Sequence, residues 1–224
     1  MAERHAAVRE ERKVVTALFA DLVGSTTLAE RLEAEEVKLV LGEAIARIVR
    51  AVEDFGGTIK DLAGDGVLAL FGAPTAHEDD PERAVRAGLQ TVEEIRAYAE
   101  EVARGWGIEG FDVRVGITTG PVVVGLIGGG SRVEYSAVGD TVNTAARLQG
   151  EARPGSVLVG QDTHRQVEGL FEWDRPLELE LKGKTEHVTA HPLIGVATTA
   201  VRTRGPERLK ASLVGRDTEL AAAR

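Results

Sequence analysis

The sequence has no cysteine among its 224 residues, so disulfide bridges and thiolate metal sites are both excluded. It also lacks any apolar run near the roughly 20 residues that a membrane-spanning helix requires. The N-terminal stretch MAERHAAVREERK is charged throughout and is unlike a secretory signal. These absences predict a cytoplasmic protein with no membrane insertion.

The sequence also has few positively charged residues, with 27 Lys and Arg against 36 Asp and Glu, which gives a formal net charge of -9. A nucleic-acid partner is disfavoured, because binding the phosphate backbone requires a basic patch. Nucleotides stay compatible with this charge, since metal ions and a few placed donors meet their phosphates. The hydrophobic fraction of 43% and the length favour one well-packed globular domain with a small appendage.

The order of predicted elements favours an α+β fold. An apolar β-type run over 14–20 is followed by helical spacing of apolar residues as far as Phe55, in two segments. A second long helix starts at the sequence DDPE of residues 79–82. Because hairpins outnumber βαβ crossovers, we expect a ferredoxin-like βαββαβ core. Its mainly antiparallel sheet carries packed helices and is extended by C-terminal strands near 156–159, 171–181 and 187–194.

The composition changes after Gly195, and this change predicts the domain organisation. Residues 1–12 form a polar lead-in, and residues 13–195 form the globular domain. Residues 196–212 are small, polar and basic, which is typical of a linker. Residues 213–224 look like the start of a further region.

Residues 59–72, IKDLAGDGVLALFG, predict a hairpin with Asp65 at its tip. Asp65 has a plain interpretation as a turn residue, and Asp21, at the end of another predicted strand, has one as a loop cap. If the two strands are neighbours, both carboxylates project at one sheet edge and repel each other. A divalent cation removes that repulsion, and a site with few hard oxygen ligands favours magnesium over zinc.

Two further sets of residues suit a nucleotide. The segment Leu22, Val23, Gly24, Ser25 and Thr26 precedes a predicted helix, where free backbone amides favour an anion. Asn143 and Arg147 lie one helical turn apart, which suits a ribose and a phosphoryl group, although a solvated helix face gives the same spacing. Lys182, beside a glycine, suits a phosphate or a plain turn.

Four of these stretches together carry a family resemblance: FADLVGST at 19–26, GDG at 64–66, VGDTVNTAAR at 138–147 and LKGK at 181–184. In this order and spacing they resemble a class III adenylate or guanylate cyclase catalytic domain over about residues 13–194. The tail LVGRDTEL at 213–220 resembles the entry to the P-loop ATPase module that follows such domains in some large bacterial regulators. No Walker A sequence is present, so the resemblance implies a fragment of a longer chain.

The resemblance implies a site for each residue set. Asp21 and Asp65 would bind two Mg²⁺ or Mn²⁺ ions per site, one acidifying the ribose 3′-hydroxyl and one holding the triphosphate. Asn143 would orient the ribose, Arg147 would stabilise the transition state, and Lys182 would bind terminal phosphates. The metal pair and the Asn/Arg pair would meet across a head-to-tail homodimer, so a lone chain would be inactive.

The base-reading position departs from the family. The lysine usually found four residues before the second metal aspartate is replaced by Asp61, with Lys60 one residue earlier. Because strand neighbours point to opposite faces, Lys60 reaches the base only if the strand bulges. Otherwise Asp61 faces the pocket, where it can accept from an exocyclic amine or favour the N1 and N2 donors of guanine. Ser136, seven before Asn143, resembles the adenylate type. We therefore expect ATP to be converted to 3′,5′-cyclic AMP and pyrophosphate, with GTP as the alternative.

Two other functions fit parts of the sequence. A catalytically weak or inactive homologue would serve as a nucleotide-binding and dimerisation module, an interpretation motivated by the displaced lysine. A diguanylate cyclase would require a Gly-Gly-(Asp/Glu)-Glu-Phe hairpin, whereas the tip here is AGDG at 63–66, which disfavours that class.

Overall fold

The computed structural model describes residues 11–129, 132–181 and 187–198, with only the backbone of 63, 126–129 and 132–137. The strands in this part of the chain are β1 Glu11–Val23, β2 Thr58–Ala63, β3 Gly66–Phe71, β4 Asp112–Gly129, β5 Arg132–Val138, β6 Ser156–Gly160, β7 Phe171–Trp173, β8 Leu177–Leu179 and β9 Val188–Val196. The α-helices are α1 Ser25–Arg31, α2 Ala34–Asp54, α3 Asp80–Trp106, α4 Asp140–Glu151 and α5 Gln161–Val167.

The strands form one mainly antiparallel sheet in the order β2-β3-β1-β4-β6-β9-β7, with β5 added on β4 and β8 on β9. Among the described strands, β4 and β6 make the one parallel pair. Short hairpin connections, such as the one between β2 and β3, account for the antiparallel pairing. The predicted α+β fold with an antiparallel sheet and C-terminal strands is confirmed.

The two long helices, α2 and α3, cover one face of this sheet. A capping box between Glu33 and Glu36 starts α2, and α3 has Pro81 in its first turn and ends at Gly107 in the left-handed conformation. The apolar stripes of both helices pack on alternate residues of the central strands. The largest fully buried side chains of this core include Leu18, Leu28, Ile48, Phe71, Ile95 and Ile117.

Helix α4 lies on the opposite face of the sheet, over β1 and β4. Side chains of odd-numbered β1 residues, Val15 and Ala17, pack with Ala145 of this helix. The approach is close because Gly116 of β4 has no side chain: a Cβ there would lie 2.3 Å from the carbonyl oxygen of Ala145. Residues of β1 therefore alternate between the α2–α3 core and the α4 side.

The structure corrects two sequence predictions. Strand β1 continues past Asp21 to Val23, so Asp21 does not end it, because the β4 pairing extends further than the β3 pairing. The predicted hairpin is present, with a turn formed by Gly64 and Asp65 and with Gly66 as the first residue of β3. The segment predicted as one strand over 171–181 is two short strands, and the seven-residue helix α5 was not predicted.

The predicted lead-in and C-terminal region lie largely outside the described residues, which start at 11 and end at 198. Strand β1 starts at Glu11, two residues before the predicted domain boundary. No helix within 11–129, 132–181 and 187–198 combines the length and apolarity needed to cross a membrane.

Candidate active site

The two aspartates come together at the end of the β1–β3 pairing. Asp21 is the cross-strand partner of Gly66, the residue directly after Asp65. The backbone N–H of Leu22 donates to the carbonyl oxygen of Asp65 at 3.3 Å, which ties the hairpin turn to β1. The predicted convergence of these two residues at one place in the sheet is therefore present in the fold.

The electrostatics of Asp21 reflect this convergence. Burial raises the pKa of Asp21 above its usual value, and the neighbouring Asp65 carboxylate raises that pKa further. The Arg114 guanidinium and a hydrogen bond from Gln149 act in the opposite direction. Two negative charges this close together at a half-buried position are unfavourable unless a cation binds between them.

The donor set suits Mg²⁺ or Mn²⁺. Both side chains offer hard oxygen ligands, and Mg²⁺ is usually held by one or two carboxylates together with water and substrate phosphates. Within the described ranges, no cluster of three or more His, Asp or Glu side chains could hold a metal ion. The pair therefore fits an ion that shares its coordination with a nucleotide better than one enclosed by protein alone.

Arg114 and Gln149 were missed by the sequence analysis, although both lie beside Asp21. Arg114 is the cross-strand partner of Asp21 on β4, and its Nε is buried without a hydrogen-bond partner. Gln149 of α4 donates from Nε2 to Oδ2 of Asp21 at 3.4 Å. The sequence signals for these residues were a basic residue on a strand, Arg114, and a polar residue at an inward helical position, Gln149. Neither signal indicates a contact with Asp21 until the pairing of distant segments is known.

Asn143 and Arg147 lie on α4 as predicted, one turn apart. Asn143 is exposed, and Arg147 is partly buried with its Nη1 atom lacking a hydrogen-bond partner. An unpaired buried guanidinium N–H is costly, so this donor is suited to an incoming anion. Asp21 is hydrogen-bonded by Gln149, two residues after Arg147 on the same helix.

Strand β2 contains the bulge on which the position of Lys60 depended. Ile59 pairs with Ala69 and Asp61 pairs with Leu68, so Lys60 is an extra residue in β2. Asp61 nevertheless shares the face of Asp21, because Leu68 also pairs with Phe19 two residues before Asp21. The bulge breaks the strict alternation that would have placed Lys60 on the opposite face.

The remaining predicted site residues have different outcomes. The Leu22 amide is not free, because it donates to Asp65, so the prediction of a free amide is wrong at that position. Gly24, with φ of 89°, precedes the short helix α1. The predicted phosphate segment is thereby reduced to Val23 to Thr26. Lys182 and the side chain of Ser136 lie outside the described residues.

Residues 7–195 match the model of the adenylate and guanylate cyclase catalytic domain. Adenylate cyclase 1 of Rhizobium meliloti (strain 1021) is 35% identical over 188 residues, 83% of this chain and 28% of that protein. Guanylate cyclase soluble subunit beta-2 of Rattus norvegicus is 30% identical over 190 residues, 81% of this chain and 27% of that protein. The chain thus spans little more than a quarter of these relatives.

Solved structures agree with this match. The adenylyl cyclase CyaB from P. aeruginosa has a TM-score of 0.80 and 28% identity, covering 85% of this chain and 98% of that one. The guanylyl cyclase Cya2 has a TM-score of 0.79 and 33% identity, covering 84% and 95%. The chain therefore belongs to the family of adenylate and guanylate cyclase catalytic domains, class III.

Proposed function

We propose that this domain is an adenylate cyclase that converts ATP to 3′,5′-cyclic AMP and pyrophosphate. The observation that carries the proposal is the pairing of Asp21 with Gly66, the residue after Asp65, which brings two carboxylates to one place beside Arg114. In the reaction a bond forms between the ribose 3′-oxygen and the α-phosphorus. The bond from the α-phosphorus to the bridging oxygen of the β-phosphate breaks, and the hydroxyl proton is released.

Each side chain has a distinct task in this proposal. Asp21 and Asp65 would hold two Mg²⁺ or Mn²⁺ ions, consistent with the use of divalent metals by members of this family. When bound, such ions supply acidification of the 3′-hydroxyl and charge neutralisation at the phosphates. Arg114 has a buried unpaired N–H beside the carboxylates, which suits a phosphate oxygen, and Lys182 is proposed to bind the terminal phosphates.

Asn143 and Arg147 are proposed to complete the site from a second copy of the chain. Arg147 would stabilise the charge that develops on the phosphoryl group, and Asn143 would orient the ribose. In favour of this arrangement, Asn143 is exposed and Arg147 has an unpaired buried donor, although Gln149 of the same helix already contacts Asp21. A head-to-tail homodimer would contain two equivalent sites.

A guanylate cyclase is the second candidate, and the position of Asp61 favours it. Asp61 shares the sheet face of Asp21, where its carboxylate can accept from the N1 and N2 donors of guanine. The bulge at Lys60 and the small hydroxyl expected from Ser136 favour adenine instead. The relatives named above include both kinds of cyclase.

The preferred nucleotide substrate can be identified by incubating the purified chain with Mn²⁺ and either ATP or GTP. The quantities to measure are cyclic nucleotide and pyrophosphate. We expect equimolar products and a higher kcat/KM with ATP. A higher kcat/KM with GTP would establish the second candidate. Tight nucleotide binding without product from either would instead identify a binding and dimerisation module.

The shared site is tested by mixing two inactive variants, Asp21→Ala and Asn143→Ala. Random exchange makes half of the dimers mixed, each with one intact site, so about a quarter of the wild-type activity should return. A mixture of Asp21→Ala with Asp65→Ala is the control, because both changes damage the same half of the site and no intact site can form. Equal recovery in both mixtures, or in neither after verified exchange, would contradict the shared site.

A further inference from the structure

We propose that Gln149 is a positioning residue for the metal site, its buried side-chain amide holding the Asp21 carboxylate ready to bind a divalent ion. The inference deepens the proposed function and rests on it. Gln149 is not one of the family motif residues identified in the sequence. Its place in the site follows from a contact between residues 128 positions apart.

The contact has the geometry of an outer support to a metal ligand. Gln149 is 8% exposed, and its Nε2 donates to Oδ2 of Asp21 at 3.4 Å. This hydrogen bond uses one lone pair of one oxygen, so the carboxylate keeps acceptor capacity for a cation. Metal-binding carboxylates are commonly held in this way, by hydrogen bonds that fix their orientation before the ion arrives.

Helix α4 packs tightly on the sheet at Gln149. The backbone nitrogen of Gln149 lies 2.3 Å from the point where a Cβ on Gly116 would stand, so helix and sheet are in direct backbone contact. Leu148, the preceding residue, is fully buried in a separate apolar cluster on this side of the sheet. The amide of Gln149 is therefore attached to a part of α4 with little freedom to shift.

A neutral donor suits this position better than a charged one. Asp21 already has a positive neighbour in Arg114 and a negative neighbour in Asp65. A lysine here would compete with the cation for the carboxylate, and a glutamate would add a third negative charge without a donor. Glutamine orients Asp21 while leaving the charge of the pair unchanged.

The test measures binding of Mn²⁺ alone to the full chain, by the loss of the free-ion electron paramagnetic resonance signal. Gln149→Met keeps the length and burial of the side chain and removes the donor. We expect its Mn²⁺ dissociation constant to rise by about tenfold to a hundredfold. Leu148→Met is the matched control, a swap of similar volume on the same turn, and should stay within about twofold of wild type.

A second variant, Gln149→Asn, retains the amide but shortens its reach, and we expect the same weakening. Unfolding followed without metal separates positioning from a structural role. A structural role would lower the unfolding midpoint while the folded fraction binds Mn²⁺ as wild type does. Wild-type affinity in the folded fraction of either variant would overturn the inference.

The outcome for Asp65→Asn distinguishes failure of this inference from failure of the proposed function. If wild type binds Mn²⁺, Asp65→Asn weakens binding and both Gln149 variants bind like wild type, only the role of Gln149 is wrong. If wild type does not bind Mn²⁺, or Asp65→Asn binds equally well, the metal site itself is wrong.

Discussion

Replacing Gly116 by alanine would force α4 away from the sheet. The added Cβ would lie 2.3 Å from both the carbonyl oxygen of Ala145 and the backbone nitrogen of Gln149, whereas ordinary contact begins at 3.4 Å. The helix must therefore move by about 1 Å, because the obstructing atoms are backbone and cannot rotate away.

The cost of Gly116→Ala follows from this displacement. Overpacking of this kind costs about 1–3 kcal/mol, partly offset by the roughly 0.5–1 kcal/mol that alanine gains over glycine within a strand. The effect on catalysis should be larger, because α4 carries Asn143, Arg147 and Gln149. A displacement of about 1 Å in positioning groups can lower the rate by about a hundredfold.

Gly150→Ala is the matched control, since a Cβ at this α4 position meets nothing within 4 Å. It should raise the free energy of unfolding by about 0.5–1 kcal/mol and leave catalysis near wild type. Urea unfolding monitored by circular dichroism gives the stability, and cyclic nucleotide formation gives the rate. Gly116→Ala with wild-type stability and rate would refute the close packing of α4 on β4.

Two further predictions concern other parts of the chain. Lys60→Ala should lower the ratio of kcat/KM for ATP to kcat/KM for GTP by about tenfold or more, which is the value of a charged hydrogen bond. The control Lys38→Ala, on α2, should leave this ratio unchanged. An unchanged ratio in Lys60→Ala would mean that Asp61, and not Lys60, recognises the nucleotide base. Burial lowers the pKa of His164 and of His191, whose rings stack at 3.6 Å, below the usual 6.5, so the unfolded chain takes up protons first as pH falls. The urea midpoint should fall between pH 7.5 and 5.5, and fall less in His164→Phe; equal declines would contradict this assignment.

The main elements could be predicted because they depend on local pattern. The two long helices follow from apolar spacing and, for α3, from the start signal that includes Pro81. The β2–β3 hairpin follows from two apolar runs around a glycine-containing turn. The seven-residue helix α5 was missed because so short a segment carries little periodic signal and is held by packing on neighbouring strands.

The surroundings of Asp21 could be predicted only in part. Its approach to Asp65 required one assumption, that the strands are neighbours, and the β1–β3 pairing meets it. The Arg114 and Gln149 contacts depend on the register of β4 and on where α4 crosses the sheet, and neither is encoded in a short stretch. The bulge at Lys60 likewise arises from pairing with β3, so the sequence could name it only as the condition under which Lys60 reaches the base.

The most direct test of the central claim, that Asp21 and Asp65 form the metal-dependent centre of a cyclase, compares wild type with Asp65→Asn at saturating Mn²⁺. The substitution keeps the size of the side chain and removes its charge. We expect equimolar cyclic nucleotide and pyrophosphate from wild type. Formation by Asp65→Asn should be at least about a hundredfold slower, which is the scale of losing a key charge-stabilising group. Equal rates from the two chains would contradict it.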